Sequence, residues 1–308
     1  MKIFMFHDVR DAGDFFPKRY AMPYFLTRQR FKDIVGVLRS ARLRHPSLRG
    51  DRVFPRIYEQ SVDYVFTFDD GLRDHLHVAR FLADVDVRAC FFVPVAPMQK
   101  RTIIDSHKIQ FILAGAGENS DVSDDIIKNY EEVFQKSSSD SKSELASYWT
   151  SKWKNNIWDH HMVFVTRILR EYPDRRWRKT LVDKLFSKYV TSDTTGFADE
   201  FYLSERDVRE IISLGHLVGG HGYFSHDLRF EDSESCRNEI TFTKDFLVQL
   251  GVVELLHAYA NGGFTSSSQA LLERLKFDYC FTTENREVTH SDFRLTVPRV
   301  DGPKFFAK

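Results

Sequence analysis

Cysteine is scarce: Cys90, Cys236 and Cys280 are the only three among 308 residues. No two stand in a C-x-x-C pair, and each lies in or beside an apolar or helical stretch. An odd, scattered set excludes a disulfide scaffold and predicts a reducing compartment. An excess of either charge is also missing, because Lys+Arg and Asp+Glu both number 44. Neither nucleic acid nor an anionic membrane is therefore expected as a partner. The basic stretch from Arg170 to Lys179 is interleaved with apolar and acidic residues and reads as a solvated helix face. The opening MKIFMFHDVRD holds one lysine and an apolar run that stops at His7 and Asp8. That run is too short for a signal-peptide core or a membrane span, so a cytoplasmic location without stable membrane insertion is expected. No internal repeat is evident.

What the chain has in quantity is apolar mass. Hydrophobic residues make up 42% of it and 28 residues are Phe, enough for a sizeable core. Over Met1–Pro94 the pattern alternates between strand and helix. KIFMF (Lys2–Phe6), YVFTF (Tyr64–Phe68) and RACFFV (Arg88–Val93) read as strands. Between them, Phe31, Ile34, Val35 and Leu38 share one helical face, as do Leu76, Ala79 and Leu82. From about 96 to 200 the texture is helical, with the polar, Ser-rich QKSSSDSKSELASYW read as a loop or joint. This stretch reads as a helical insertion, a candidate lid, within a single domain spanning 1–308. From Leu203 the alternation returns. SERDVREIISLG opens with a capping box at Ser204 and Asp207 and stops at Gly215. HLVGG, LLHAYA, YCFTT and RLTVPRV follow as strands, separated by helices at SCRNEITFTKDFLVQLG and SSSQALLERLK. The expected fold class is α/β with a mainly parallel sheet, either a barrel or an open sheet.

In such sheets chemistry gathers at the carboxyl ends of the strands. His7 and Asp8, Asp69-Asp70-Gly71, His221 and His226, Asn261 and Asp301 all stand just after strands. Taken alone, a D-D-G after a strand is a turn, and two histidines five apart are solvated or hydrogen-bonded side chains. Together they supply two carboxylates and two imidazoles on one rim, a donor set suited to Zn²⁺ or a related divalent ion. One carboxylate and two imidazoles complete a catalytic ligand set, which leaves the second carboxylate as a general base beside a bound water.

These residues carry a resemblance. Thr67-Phe68-Asp69-Asp70-Gly71 reproduces the first motif of the polysaccharide deacetylase family, the NodB-homology carbohydrate esterases. HGYFSHDL resembles the second motif, with His221 and His226 one residue further apart than usual. The resemblance covers Met1–Val95 and Leu203–Gly302. It implies a distorted (β/α) barrel of NodB-homology type, with Asp69 as general base and Asp70, His221 and His226 as ligands of a divalent metal ion, Zn²⁺ first, with Co²⁺, Ni²⁺ or Mn²⁺ as alternatives. The third motif departs from the pattern: AYANGGF (Ala258–Phe264) keeps Tyr259 and Gly262 but lacks the family's Arg and Pro. Arg299, in VPRVDG, is the candidate for the missing arginine, which orients the catalytic carboxylate. The family's late histidine motif is not evident either. His7 is the candidate general acid, with His290 ranked below it.

The implied activity is metal-dependent hydrolysis of an N-acetyl group on an amino sugar in surface-polysaccharide biosynthesis. The expected substrate is a nucleotide-linked, lipid-linked or oligosaccharide amino sugar, with no nucleic-acid partner. Tyr223, Phe224, Tyr259 and Phe264 are candidates to stack on the sugar, although each taken singly reads as core. Two alternatives stay open: a deformylase or other N-acyl sugar amidohydrolase, and a catalytically lapsed sugar-binding or scaffold relative.

Overall fold

The computed structural model of the protein describes residues 1–11, 25–48, 62–150 and 159–307. In chain order the first elements are β1 (Lys2–Phe6), β2 (Asp8–Val9), β3 (Phe25–Leu26), α1 (Arg28–Ser40), β4 (Tyr64–Phe68), α2 (His75–Asp84), β5 (Ala89–Val93) and α3 (Ala96–Lys100). A helical stretch follows: α4 (Asp105–Gly115), α5 (Asn119–Phe134), α6 (Ser138–Leu145), α7 (His160–Glu171), α8 (Arg175–Tyr189) and α9 (Thr194–Phe201). The alternation resumes with α10 (Glu205–Ser213), β6 (Leu217–Gly220), α11 (Ser233–Gln249), β7 (Leu256–Ala258), α12 (Ser266–Arg274), β8 (Tyr279–Phe281), β9 (Val300–Asp301) and α13 (Gly302–Phe306). The chain divides into two compact units. One holds the described residues up to 102 and from 198 onward; the other holds 103–150 and 159–197.

In the first unit seven strands form one sheet in the order β8-β7-β6-β5-β4-β1-β9, and every pairing is parallel. Parallel strands need both faces covered, which is why β1, β4 and β5 are near-continuous apolar runs rather than alternating ones. Phe4, Phe6, Phe66, Phe68 and Phe91 are all at most 1% exposed. The edges approach each other through the last segment. Val297 pairs with Phe281 of β8, and Val300 and Asp301 pair with Phe4 and Met5 of β1. The sheet thus curls into a distorted (β/α) barrel. RLTVPRV was expected to be one strand, but only Val300–Asp301 ladders regularly. Pro298 has no N–H to give, so the segment leaves one neighbour and joins another across it.

Helices form where the apolar spacing and caps agree. α1 buries Phe31, Ile34, Val35 and Leu38, with Thr27 accepting from the Arg30 N–H. α10 begins with the reciprocal capping box of Ser204 and Asp207. Gly215, at φ +92°, lies just beyond its end.

In the second unit α4 and α8 are joined by Lys108, whose Nζ lies 2.5 Å from Asp183 Oδ1. Trp149 stacks on Phe164 with ring centroids 4.1 Å apart. The Ser-rich 135–149 stretch, expected as a loop, is largely helical. Ser137 caps α6 by accepting from the Asp140 N–H, and Ser141 and Leu145 are buried on one face. A cap and a single apolar anchor suffice there, which a compositional reading misses. Among the described residues no helix is long and apolar enough to cross a membrane. All three cysteines are buried.

Candidate active site

Because the strands run parallel, their carboxyl ends lie along one rim, and the D-D-G turn sits there at the end of β4. Asp69 donates its N–H to the Phe6 carbonyl at 2.9 Å, which ties the turn to the end of β1. Asp70 then takes φ +76° and Gly71 φ +61°. A left-handed aspartate is uncommon but tolerated. Gly71 is required on two counts, since a Cβ there would lie 3.1 Å from Pro94 Cδ.

The Asp69 carboxylate is buried and meets Arg299 end-on, Nη1 to Oδ1 and Nη2 to Oδ2 both at 2.7 Å. Arg299 is itself fully buried. Its Nη1 also donates to Thr67 Oγ1 at 3.2 Å and its Nε to the Thr282 carbonyl at 3.0 Å. Its guanidinium carbon stands 5.6 Å from the centre of the Phe92 ring. Burial alone would raise the Asp69 pKa, but the Arg299 guanidinium, with His221 and His7, holds it below the usual carboxylate range. Arg299, the candidate named from the sequence, thus contacts both carboxylate oxygens of Asp69.

His7, just past β1, has Nε2 4.0 Å from Asp69 Oδ2 and is partly exposed. Its main-chain carbonyl accepts from His75 Nε2 at 2.6 Å. His75 is fully buried, against the rings of Phe68 and Phe91. It shares the buried face of α2 with Val78, Ala79 and Leu82, whereas Leu76, expected on that face, is only partly buried.

On the other side of Asp69, His221 follows β6 and is anchored by its N–H to the Val93 carbonyl at 2.9 Å. Its Nδ1 lies 2.9 Å from the Ala258 carbonyl, which can only accept, so Nδ1 carries the proton. Its Nε2 lies 3.3 Å from Asp70 Oδ1. Burial works against the imidazolium, yet the hydrogen bond to Asp70 and the charges of Asp69 and Asp70 raise the His221 pKa. His226 has Nδ1 3.2 Å from Glu239 Oε1 and 3.8 Å from Glu231 Oε2, and its ring stacks on Phe224.

A carboxylate facing an imidazole, with a second imidazole on the same loop, is donor chemistry that fits a divalent ion. Both histidines have Nδ1 beside a protein oxygen, so Nε2 is the nitrogen each ring turns away from that oxygen. Asp70 and His221 are paired, whereas among the described residues no group of three His, Cys, Asp or Glu side chains is arranged around one ion position.

The remaining rim residues are structural. Asp301 accepts from the Lys304 N–H and caps α13. Asp8 is buried against Arg10. Asn261 takes φ +52° in the short turn after β7. Tyr259 is fully buried, and its hydroxyl donates to the Leu295 carbonyl at 3.0 Å, so it belongs to the core and not to a sugar platform. Phe264 stacks on it. Tyr223 and Phe224 meet edge to face beside His226. His290 is exposed in a turn.

No protein-family model matches the chain, and no curated protein matches it in sequence. Solved structures do match in fold. A deacetylase of Streptococcus pyogenes, PplD, solved in complex with acetate, superposes with a TM-score of 0.58 at 13% identity, over 99% of this chain and 95% of that one. A polysaccharide deacetylase from Bacillus cereus gives 0.55 at 13% identity, over 99% and 67%. A de-N-acetylase from Aggregatibacter actinomycetemcomitans gives 0.54 at 10% identity, over 98% and 95%. The chain has the fold of these deacetylases.

Proposed function

We propose that this chain, as one domain with a helical insertion at about 96–200, is a metal-dependent carbohydrate deacetylase. It removes the N-acetyl group of an amino sugar in the cytoplasmic stage of surface-polysaccharide synthesis. One observation carries the reading: a buried carboxylate, Asp69, clamped by a buried arginine, stands next in sequence to a second carboxylate, Asp70, that faces an imidazole. A clamp of that kind fixes Asp69 and keeps it ionised at neutral pH, as a general base must be.

Asp70, His221 and His226 are the residues that would hold the ion, which when bound supplies Lewis acidity at the acyl carbonyl and acidifies a water. Asp69 takes the proton of the attacking water. Arg299 keeps the Asp69 oxygens in place while it does so. His7, partly exposed and 4.0 Å from Asp69, gives a proton to the departing amine of the sugar. The deacetylase fold supports the reaction class, and the donor set supports zinc.

The direct test pairs metal analysis with product release. Purified protein given Zn²⁺ is expected to bind about one equivalent and to release acetate from UDP-N-acetylhexosamines or a lipid-linked or oligomeric equivalent. Asp70→Ala is expected to lose both the ion and the activity. Formate released from N-formyl sugars, with no acetate from N-acetyl sugars, would make the protein a deformylase. A folded protein that takes up no metal, and whose behaviour Asp70→Ala leaves unchanged, would sink the enzyme reading in favour of a sugar-binding relative.

A further inference from the structure

The loop that carries His221 and His226 is folded around a carboxylate that the sequence motifs do not include. Glu239 lies in α11, only 3% exposed. Its Oε1 and Oε2 accept from the Phe224 N–H at 2.9 and 3.1 Å, and Oε2 lies 3.4 Å from the His226 N. Oε1 also stands 3.2 Å from His226 Nδ1. Burying a carboxylate is costly unless donors surround it. Here the donors come from Phe224 and His226, in the loop from Gly222 to His226.

The backbone of that span bends to suit. Gly222 takes φ +81° and Ser225 φ +59°. A Cβ on Gly222 would fall 2.6 Å from Glu239 Oε2, so the glycine gives the carboxylate room as well as the turn. The loop from Gly222 to His226 is thus wrapped around Glu239, and the second histidine finishes with Nδ1 against an acid.

We propose that Glu239 is a positioning residue: it fixes the loop, holds the proton of His226 on Nδ1, and so makes Nε2 the nitrogen that His226 offers to a cation. The assignment of a cation to His226 rests on the proposed function; the loop and tautomer assignments do not. Glu231, with Oε2 3.8 Å from the same nitrogen, is the neighbouring acid and the natural control.

Two measurements on the full chain test this. The first is Zn²⁺ affinity, read by competition with a chromophoric chelator. Glu239→Gln should weaken it about 10- to 100-fold, as loss of a carboxylate behind a ligating histidine does, and Glu231→Gln should change it less than threefold. Equal affinity in wild type and Glu239→Gln, or a larger loss in Glu231→Gln, would overturn the proposal. The second is the ¹⁵N signature of the metal-free His226 ring at a pH where it is neutral, assigned with His226→Gln. Nδ1–H in the wild type, shifting toward Nε2–H in Glu239→Gln, is expected. Nε2–H in the wild type would overturn the proposal, and that spectrum needs no substitution at Glu239. If Zn²⁺ binds nowhere, the metal reading fails while the ring signature still decides the role of Glu239.

Discussion

A guanidinium with no solvent exposure must find an acceptor for its donors, and Arg299 finds Asp69 Oδ1 and Oδ2, Thr67 Oγ1 and the Thr282 carbonyl. Removing it does more than delete a contact, because it leaves Asp69 charged, buried and unpaired. Arg299→Met is therefore expected to cost about 3–5 kcal/mol in urea denaturation. It should also lower acetate release about 100-fold, the scale of a mispositioned catalytic group. Arg299→Lys should fall between, since an ammonium cannot reproduce the two-pronged contact. Full activity and stability in Arg299→Met would remove the clamp from the account. Asp69 and Asp70 were legible as site candidates only when the D-D-G after an apolar strand was taken together with His221 and His226. Arg299 was singled out only through the resemblance, as a candidate for the arginine that AYANGGF lacks. Glu239 was not: it is one acid in the middle of a mixed helix, and its place on the buried face with Cys236, Ile240 and Thr243 emerges only when the helix is packed.

The elements that frame the rim are locked by polar groups that must stay neutral. His216, in the turn before β6, has Nε2 2.8 Å from the Ala79 carbonyl of α2, while its Nδ1 accepts the Ala89 N–H of β5 at 3.2 Å. Phe91 packs edge-on against it, and Arg88 is its charged neighbour. Burial pushes its pKa down to about 4 despite the pull of the Ala79 carbonyl. The folded pKa lies below the unfolded value of about 6.5, so the unfolded chain takes up this proton first as pH falls. The contribution is complete above about pH 6.5 and is lost progressively down to about pH 4, at most about 3 kcal/mol. His216→Gln should flatten that part of the stability curve, and an unchanged slope in denaturation between pH 6.5 and 4 would contradict the assignment. Element boundaries were readable where caps and apolar faces coincide, as in α1 and α10. They were not where Pro298 splits a period-2 pattern between two neighbours, or where α6 presents almost only polar residues.

At the scale of the molecule, alternating strands and helices were enough to place His7, Asp69, His221 and Asp301 near one rim, although they lie up to 294 positions apart in the chain. What the alternation could not give is which side chains touch. The bond from Asp69 to Arg299 and the setting of His226 on Glu239 depend on how the sheet curls and how α11 packs beneath the second-motif loop. The helical unit was legible as helices from the spacing of its apolar residues, but α7 was not singled out although it buries Val163, Phe164, Val165, Ile168 and Leu169. The central claim is that Asp69 is the base of an N-deacetylation, and Asp69→Asn in the Zn²⁺-supplied protein tests it most directly. With folding checked by circular dichroism, wild type should release acetate from an N-acetylated amino sugar and Asp69→Asn should release it at least about 100-fold more slowly while still binding the ion. Equal rates for the two proteins would contradict the account.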